Sequence, residues 1–293
     1  MTSTPAQNPP LVQAAVDRLK ALRPAYREIL AFYGPLFVEQ EVRTAAMPSI
    51  ELDAATPEIT AIKEAEGFPL LSMTDFPVDP RAGAELFHWI CDKSKSLTGP
   101  LAEAVEVFQR AVSDRRLHLH GLFTALLTGD DDRIQETSEE LSVDREILAL
   151  VAYHSLRPAI VALSRSLSNQ KKIPASWQRG ICPVCGSFPA LCLLGEEGRR
   201  TLICGFCWHQ WHYRRVACPF CQTTDSKKLH YFYDENEPES RVDLCDACRR
   251  YLKTVDTRKT ERAIYPPLEA LTTLHLDIKA QDLGFKGELK PRI

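Results

Sequence analysis

Four C-x-x-C pairs, Cys182/Cys185, Cys204/Cys207, Cys218/Cys221 and Cys245/Cys248, crowd into one stretch and take eight of the chain's ten cysteines. Two residues between cysteines let a tight turn aim both sulfurs at one ion, and two facing knuckles complete a tetrahedron of thiolates. Eighteen residues separate the first two pairs, ten the middle two and twenty-three the last two. Sequential pairing predicts one site from Cys182, Cys185, Cys204 and Cys207, and a second from Cys218, Cys221, Cys245 and Cys248. Pro183 and Pro219 stiffen two of the turns, and Gly186 stands where a positive φ turns a backbone N–H toward sulfur. Tetrahedral sulfur ligation suits zinc and equally a single iron.

Other uses of these thiols fit less well. A thioredoxin-type centre needs one pair at a strand-to-helix junction within a βαβ pattern, which the sequence lacks. A disulfide framework belongs to small secreted chains, whereas this one begins without the basic start and apolar core of a secretory signal. The expectation is a cytoplasmic protein. His209 and His212 in "CWHQWHY" are candidate substitute ligands, but eight paired thiols already complete two sites. Cys91 and Cys192 lie in apolar runs and read as small buried hydrophobes.

Upstream of the cysteines the grammar is helical. "LVQAAVDRLKALRPAYREILAFYGPLF" sets Leu11, Ala15, Leu19, Leu22, Tyr26, Ile29 and Leu30 at spacings of three and four, with Pro24 as an interruption. Asp79 before Pro80 suits a helix start, followed by Leu86, Trp89 and Ile90 as anchors. Helices are predicted near Leu101–Val112, Leu117–Leu127 and Arg145–Ser168, the last bent or restarted at Pro158. "GDDDR" at Gly129–Arg133 reads as a helix cap, and "HLH" at His118–His120 as a surface feature. The segment from Met47 to Pro77 reads as a long connection with one short helix.

After "NQKKIPASW" short alternating runs ending in cysteine pairs, such as "RRTLIC", "HQWHYRRVAC", "KLHYFY" and "SRVDLC", predict strands in two similar units. "PPLEALTTLHLDIKAQDLG" reads as one more helix, closed by Gly284. The predicted fold is α+β: a helical domain over residues 1–175, two tandem rubredoxin-like or zinc-ribbon modules over 176–212 and 213–260, and a C-terminal helix and tail over 261–293.

A net charge of −3 and 26% charged residues make no field that would gather nucleic acid or an acidic membrane. No apolar run reaches a membrane span, because His154, Arg157 and Pro158 interrupt "LALVAYHSLRPAIVAL". No nucleophile–base pair or phosphate loop stands out, so no catalytic residues and no enzyme activity are expected. One competing reading remains, a zinc-ribbon protein that stacks nucleobases on Trp208, Trp211 and Tyr213 beside Arg214, Arg215, Arg249 and Arg250. The acidic Glu235, Glu237, Glu239 and Asp243 interleave with these and disfavour it.

The pieces between the cysteines are more distinctive. "CPVCGSFP" at Cys182–Pro189, "CGFCWHQWHYRRVACPFC" at Cys204–Cys221, "KLHYFYDE" at Lys228–Glu235 and "CDACRRYLKTVD" at Cys245–Asp256 resemble the formate dehydrogenase accessory protein FdhE family. The close match covers roughly residues 180–258, with "HSLRPAI" at His154–Ile160 compatible upstream. The resemblance implies a cytoplasmic maturation factor for respiratory formate dehydrogenase, partnered with its catalytic subunit. It also implies two metal ions on the cysteine pairs, rubredoxin-type iron favoured with zinc left open, and neither nucleic-acid binding nor direct membrane insertion is expected. Homo-oligomerisation is compatible with it.

Overall fold

Proline at position 24 lacks the N–H that would continue a helix, and the first helix, α1 (Pro9–Leu22), ends just before it. A 3₁₀ turn over Pro24–Tyr26 leads into α2 (Arg27–Ala46). The structure, a computed structural model, describes residues 9–48, 62–63, 66–170, 173 and 177–287. Within the Met47–Pro77 connection, residues 49–61 and 64–65 lie outside the described residues, and residues 62, 63 and 66 are helical.

The chain divides into two compact units. One takes Glu39 onward in α2 and Ser72–Leu163; the other takes the chain up to Val38, the segment ending at Leu71, and the chain from Ser164.

The first unit is helical: α3 (Ala84–Ser94), α4 (Pro100–Ser113), α5 (Leu119–Thr128), α6 (Asp131–Leu141) and α7 (Arg145–Gln170), the last of which runs on into the other unit. Asp79 accepts from Arg81 N at 2.9 Å with Pro80 next, and Asp130 accepts from Arg133 N at 3.0 Å, so both expected caps form. Phe87 meets Phe108 and Phe123 at ring-centroid distances of 6.1 and 6.2 Å in a core with Leu86, Ile90 and Leu156. Cys91 is fully buried in that core, as a small hydrophobe.

Helix α7 neither ends nor restarts at Pro158. A proline there leaves the carbonyl four residues back without its helical donor. That carbonyl belongs to His154, and Gln40 Nε2 donates to it at 2.6 Å. The same Gln40 accepts from the buried Arg157 through its Oε1. One glutamine thus satisfies what the proline orphans. By length and composition α7 could cross a membrane, but 78% of its apolar window is buried, as in a core helix.

In the other unit α1 buries Val12, Ala15, Val16 and Leu19 against Leu30, Phe37, Tyr265 and Leu268. The buried stripe is therefore rotated by one residue from the expected one, and Leu22 is exposed. Both stripes obey the helical period and share Ala15 and Leu19.

Six strands form one sheet in the order β3-β2-β1-β6-β5-β4: β1 (Pro189–Leu194), β2 (Arg200–Cys204), β3 (Gln210–Tyr213), β4 (Leu229–Tyr233), β5 (Ser240–Cys245) and β6 (Arg250–Asp256). Each half is a three-stranded antiparallel ribbon, and β1 joins β6 in parallel through Cys192↔Thr254, Leu193↔Val255 and Leu194↔Asp256. The "WHQWHYRR" segment holds β3, an outer edge strand of the sheet. Strand β6 was not legible as a strand, yet it is central and almost wholly buried.

The C-terminal helix is split into α8 (Pro266–Leu271) and α9 (Leu274–Asp282). Thr272 and Thr273 donate their hydroxyls back to Leu268 O and Glu269 O at 2.9 and 2.6 Å, which bends chains of this kind. Gly284, at φ +80, closes α9 as expected. Leu276 and Ala280 of α9 cover Val242, Leu244 and Tyr251 of the sheet. Arg23, 4% exposed, ties α1 to Thr272 and Ser240 at 2.8 and 2.7 Å.

Candidate metal centres

Each ribbon repeats one plan. A cysteine pair precedes the first strand of the ribbon, and a second pair begins on the last residue of the next strand: Cys204 ends β2, and Cys245 ends β5. The plan brings the eight sulfurs together as the sequential pairing expects. Cys182, Cys185, Cys204 and Cys207 form one group, and Cys218, Cys221, Cys245 and Cys248 the other, all sulfurs in a group lying within 4.8 Å of one another.

The backbone of every knuckle is the same. The residue after the second cysteine has a positive φ in all four: Gly186 +77°, Trp208 +59°, Gln222 +61° and Arg249 +57°. That conformation folds the turn back, so Gly186 N donates to Cys182 O, Gln222 N to Cys218 O and Arg249 N to Cys245 O at 2.8–2.9 Å. It also points amides at sulfur: Val184 N lies 3.4 Å from Cys182 Sγ and Phe206 N 3.3 Å from Cys204 Sγ. Only Gly186 announces this in the sequence, because the other three positions carry side chains that rarely adopt it.

The donor set fits a tetrahedral ion. Sulfur separations are 3.7 Å for Cys182–Cys207 and 3.4 Å for Cys185–Cys204, then 3.7 Å for both Cys218–Cys248 and Cys221–Cys245. A metal–sulfur bond of about 2.3 Å requires a tetrahedron edge of about 3.8 Å. Burial pushes the Cys182 and Cys204 thiols well above the ordinary range. A divalent cation among them would deprotonate all four, and its uptake would release protons.

The two groups differ in access. Cys182, Cys185, Cys204 and Cys207 are at most 2% exposed, whereas Cys221 is exposed and Cys248 half-buried. Part of the cover over the first group comes from more than 110 residues upstream: Leu70 N and Leu71 N each donate at 2.9 Å, to Pro183 O and Val184 O. Nothing in the local pattern around Leu70 foretells this. Gly180 brings the ribbons' knuckles close, since a Cβ there would sit 1.7 Å from Pro219 O.

The remaining candidates take structural places. Neither His209 nor His212 belongs to a sulfur group. Trp211 is 5% exposed and donates to Arg179 O at 3.2 Å, and Trp208 packs on Leu191, Ile203 and Val255. Those tryptophans cover the ribbon core and present no stacking platform. Cys192 is buried in β1 with Arg200 Nε 3.4 Å from its sulfur, and burial raises its pKa.

The chain is similar to known proteins along nearly its whole length. A protein from Escherichia coli O1:K1 called Protein FdhE is 27% identical over 264 residues, spanning 88% of this chain and 79% of that protein. A Protein FdhE homolog from Aquifex aeolicus is 34% identical over 113 residues, 37% of this chain, and the chain spans 40% of that protein's length. The crystal structure of the FdhE protein from Pseudomonas aeruginosa superposes with a TM-score of 0.68 at 21% identity, over 97% of this chain and 96% of that one, and so shares the fold. No family model matches the chain. The likeness to FdhE proteins read from the cysteine-rich motifs holds.

Proposed function

We propose that this chain is an accessory factor for formate dehydrogenase, acting on its catalytic subunit in the cytoplasm, with a metal ion on each four-cysteine group. The observation that carries the reading is the combination of two complete tetrathiol groups with a likeness to FdhE proteins that spans 88% of the chain. The ligands are Cys182, Cys185, Cys204 and Cys207 in the first site and Cys218, Cys221, Cys245 and Cys248 in the second. Iron in four-thiolate coordination would supply one-electron chemistry; zinc would supply structure alone.

The protein's own part is to hold and present. Small ribbons have little core, so ligation supplies folding free energy on the order of 10 kcal/mol per ion. The parallel β1–β6 pairing then makes both ribbons one rigid surface. The chemistry on formate stays with the client, and the chain itself is not an enzyme.

Expression of the chain in a strain deleted for its own factor of this kind is expected to restore formate dehydrogenase activity. Replacement of Cys204 and Cys207 by serine is expected to abolish the rescue. Failure of the folded, metal-loaded wild type to rescue would overturn the reading. Full rescue by a zinc-only preparation in a reconstituted maturation assay would leave the metal no redox part.

A further inference from the structure

A cavity of about 210 Å³ lies beside the second cysteine group. Five arginines line it, Arg200, Arg215, Arg241, Arg250 and Arg258, against one carboxylate, Asp243. The whole chain carries a net charge of −3, so this wall reverses the sign of its surroundings.

Three of the guanidiniums are held in place. Arg200, with a side chain 6% exposed, donates to Ala217 O at 2.6 Å and approaches Asp243 at 3.4 Å, forming the floor. Arg241 stacks 4.8 Å from the Tyr231 ring centroid; its Nε is 2.9 Å from Asp243 Oδ1 but out of line for a hydrogen bond. Asp256 grips Arg258 from outside the cavity through Nε and Nη2 at 2.7 and 2.6 Å. Arg215 stands exposed at the rim. One lining carboxylate is therefore shared by Arg200 and Arg241.

Planar guanidiniums fixed by stacking and ion pairs match the oxygens of a phosphate with little further loss of entropy. Apolar neighbours, Leu194 and Leu252, strengthen the attraction by excluding water. The volume is below the roughly 300–1,000 Å³ of sites for drug-sized ligands. It suits a small polyvalent anion.

We propose that this cavity binds a phosphate or diphosphate group, free or as the terminal group of a small molecule, between Arg215, Arg241 and Arg258. The competing use of these arginines is local. Cys218 and Cys245 also face the cavity, and a divalent ion on four thiolates leaves a net charge of about −2 that arginines could offset.

Titration calorimetry of the full-length, metal-loaded chain with inorganic phosphate, pyrophosphate and ADP separates the two. Pyrophosphate or ADP is expected to bind, more weakly at high salt. Tighter binding of ADP assigns the group to a nucleotide, and equal binding assigns it to the free anion. Arg215→Ala and, separately, Arg241→Gln are expected to weaken binding about 10-fold or more, with melting temperature and metal content per chain unchanged. No binding by any of the three anions, or affinity unchanged in both variants, would overturn the proposal. Loss of the second metal ion in the variants, with no anion bound by the wild type, would give the arginines to the thiolates.

Discussion

At the scale of single residues, the four positive-φ positions after the cysteine pairs carry the knuckle geometry. Substituting Gly186 with alanine forces a side chain into φ +77 with its Cβ 3.2 Å from Pro69 Cγ, at a cost of about 1–2 kcal/mol. Gln222→Gly at φ +61 relieves strain and is expected to be neutral or stabilising by up to about 1 kcal/mol. Thermal melts of the metal-loaded proteins check both signs; destabilisation by Gln222→Gly would contradict the strain argument. His154 gives a pH dependence. It is half-buried, and the loss of water around it, helped by the nearby Arg157, holds its pKa down to about 3. Above pH 6.5 the ring is neutral folded and unfolded, so its ionisation takes nothing from stability. Below that the unfolded chain binds a proton the folded ring refuses, and the fold loses on the order of 4 kcal/mol between pH 6.5 and 3. Urea unfolding from neutrality down to about pH 4 is expected to show this loss, with a flatter slope in His154→Asn; equal slopes would remove His154 from the account.

At the scale of elements, Gln40 decides whether α7 survives its proline. Gln40→Leu leaves the His154 carbonyl and the buried Arg157 short of partners, for an expected loss of about 2–4 kcal/mol. Denaturant midpoints measure it, and a loss under about 0.5 kcal/mol would mean that α7 finds other partners for these groups. What was legible in the sequence follows the same division. The cysteine turns, the Asp79 and Asp130 caps and the Pro24 break are local, and local chemistry sets them. The continuity of α7 at Pro158 depends on a side chain 114 positions from His154, and the burial of the first cysteine group on Leu70 and Leu71. Strand β6 escaped because it is buried on nearly every residue, which erases the alternation that marks a half-exposed strand. At Trp208, Gln222 and Arg249 no glycine signals the positive φ.

At the scale of the whole molecule, the parallel β1–β6 seam turns two small ribbons into one six-stranded sheet with two four-cysteine groups of unequal access. A chelator is expected to remove metal in two phases, a fast one from the site with the exposed Cys221 and a slow one from the buried site, the slow phase accompanied by loss of sheet structure. Metal analysis against time, with Cys221→Ser removing the fast phase alone, tests this; a single phase would make the sites equivalent. The central claim joins these sites to a client. Its most direct measurement is anaerobic capture of the formate dehydrogenase catalytic subunit by the tagged full-length chain, with metal analysis and a visible spectrum of the captured complex. The account expects the subunit to be retained by the chain carrying two metal ions, with thiolate-to-metal charge-transfer bands if the ions are iron. A folded chain with both ions in place that retains no catalytic subunit would contradict it.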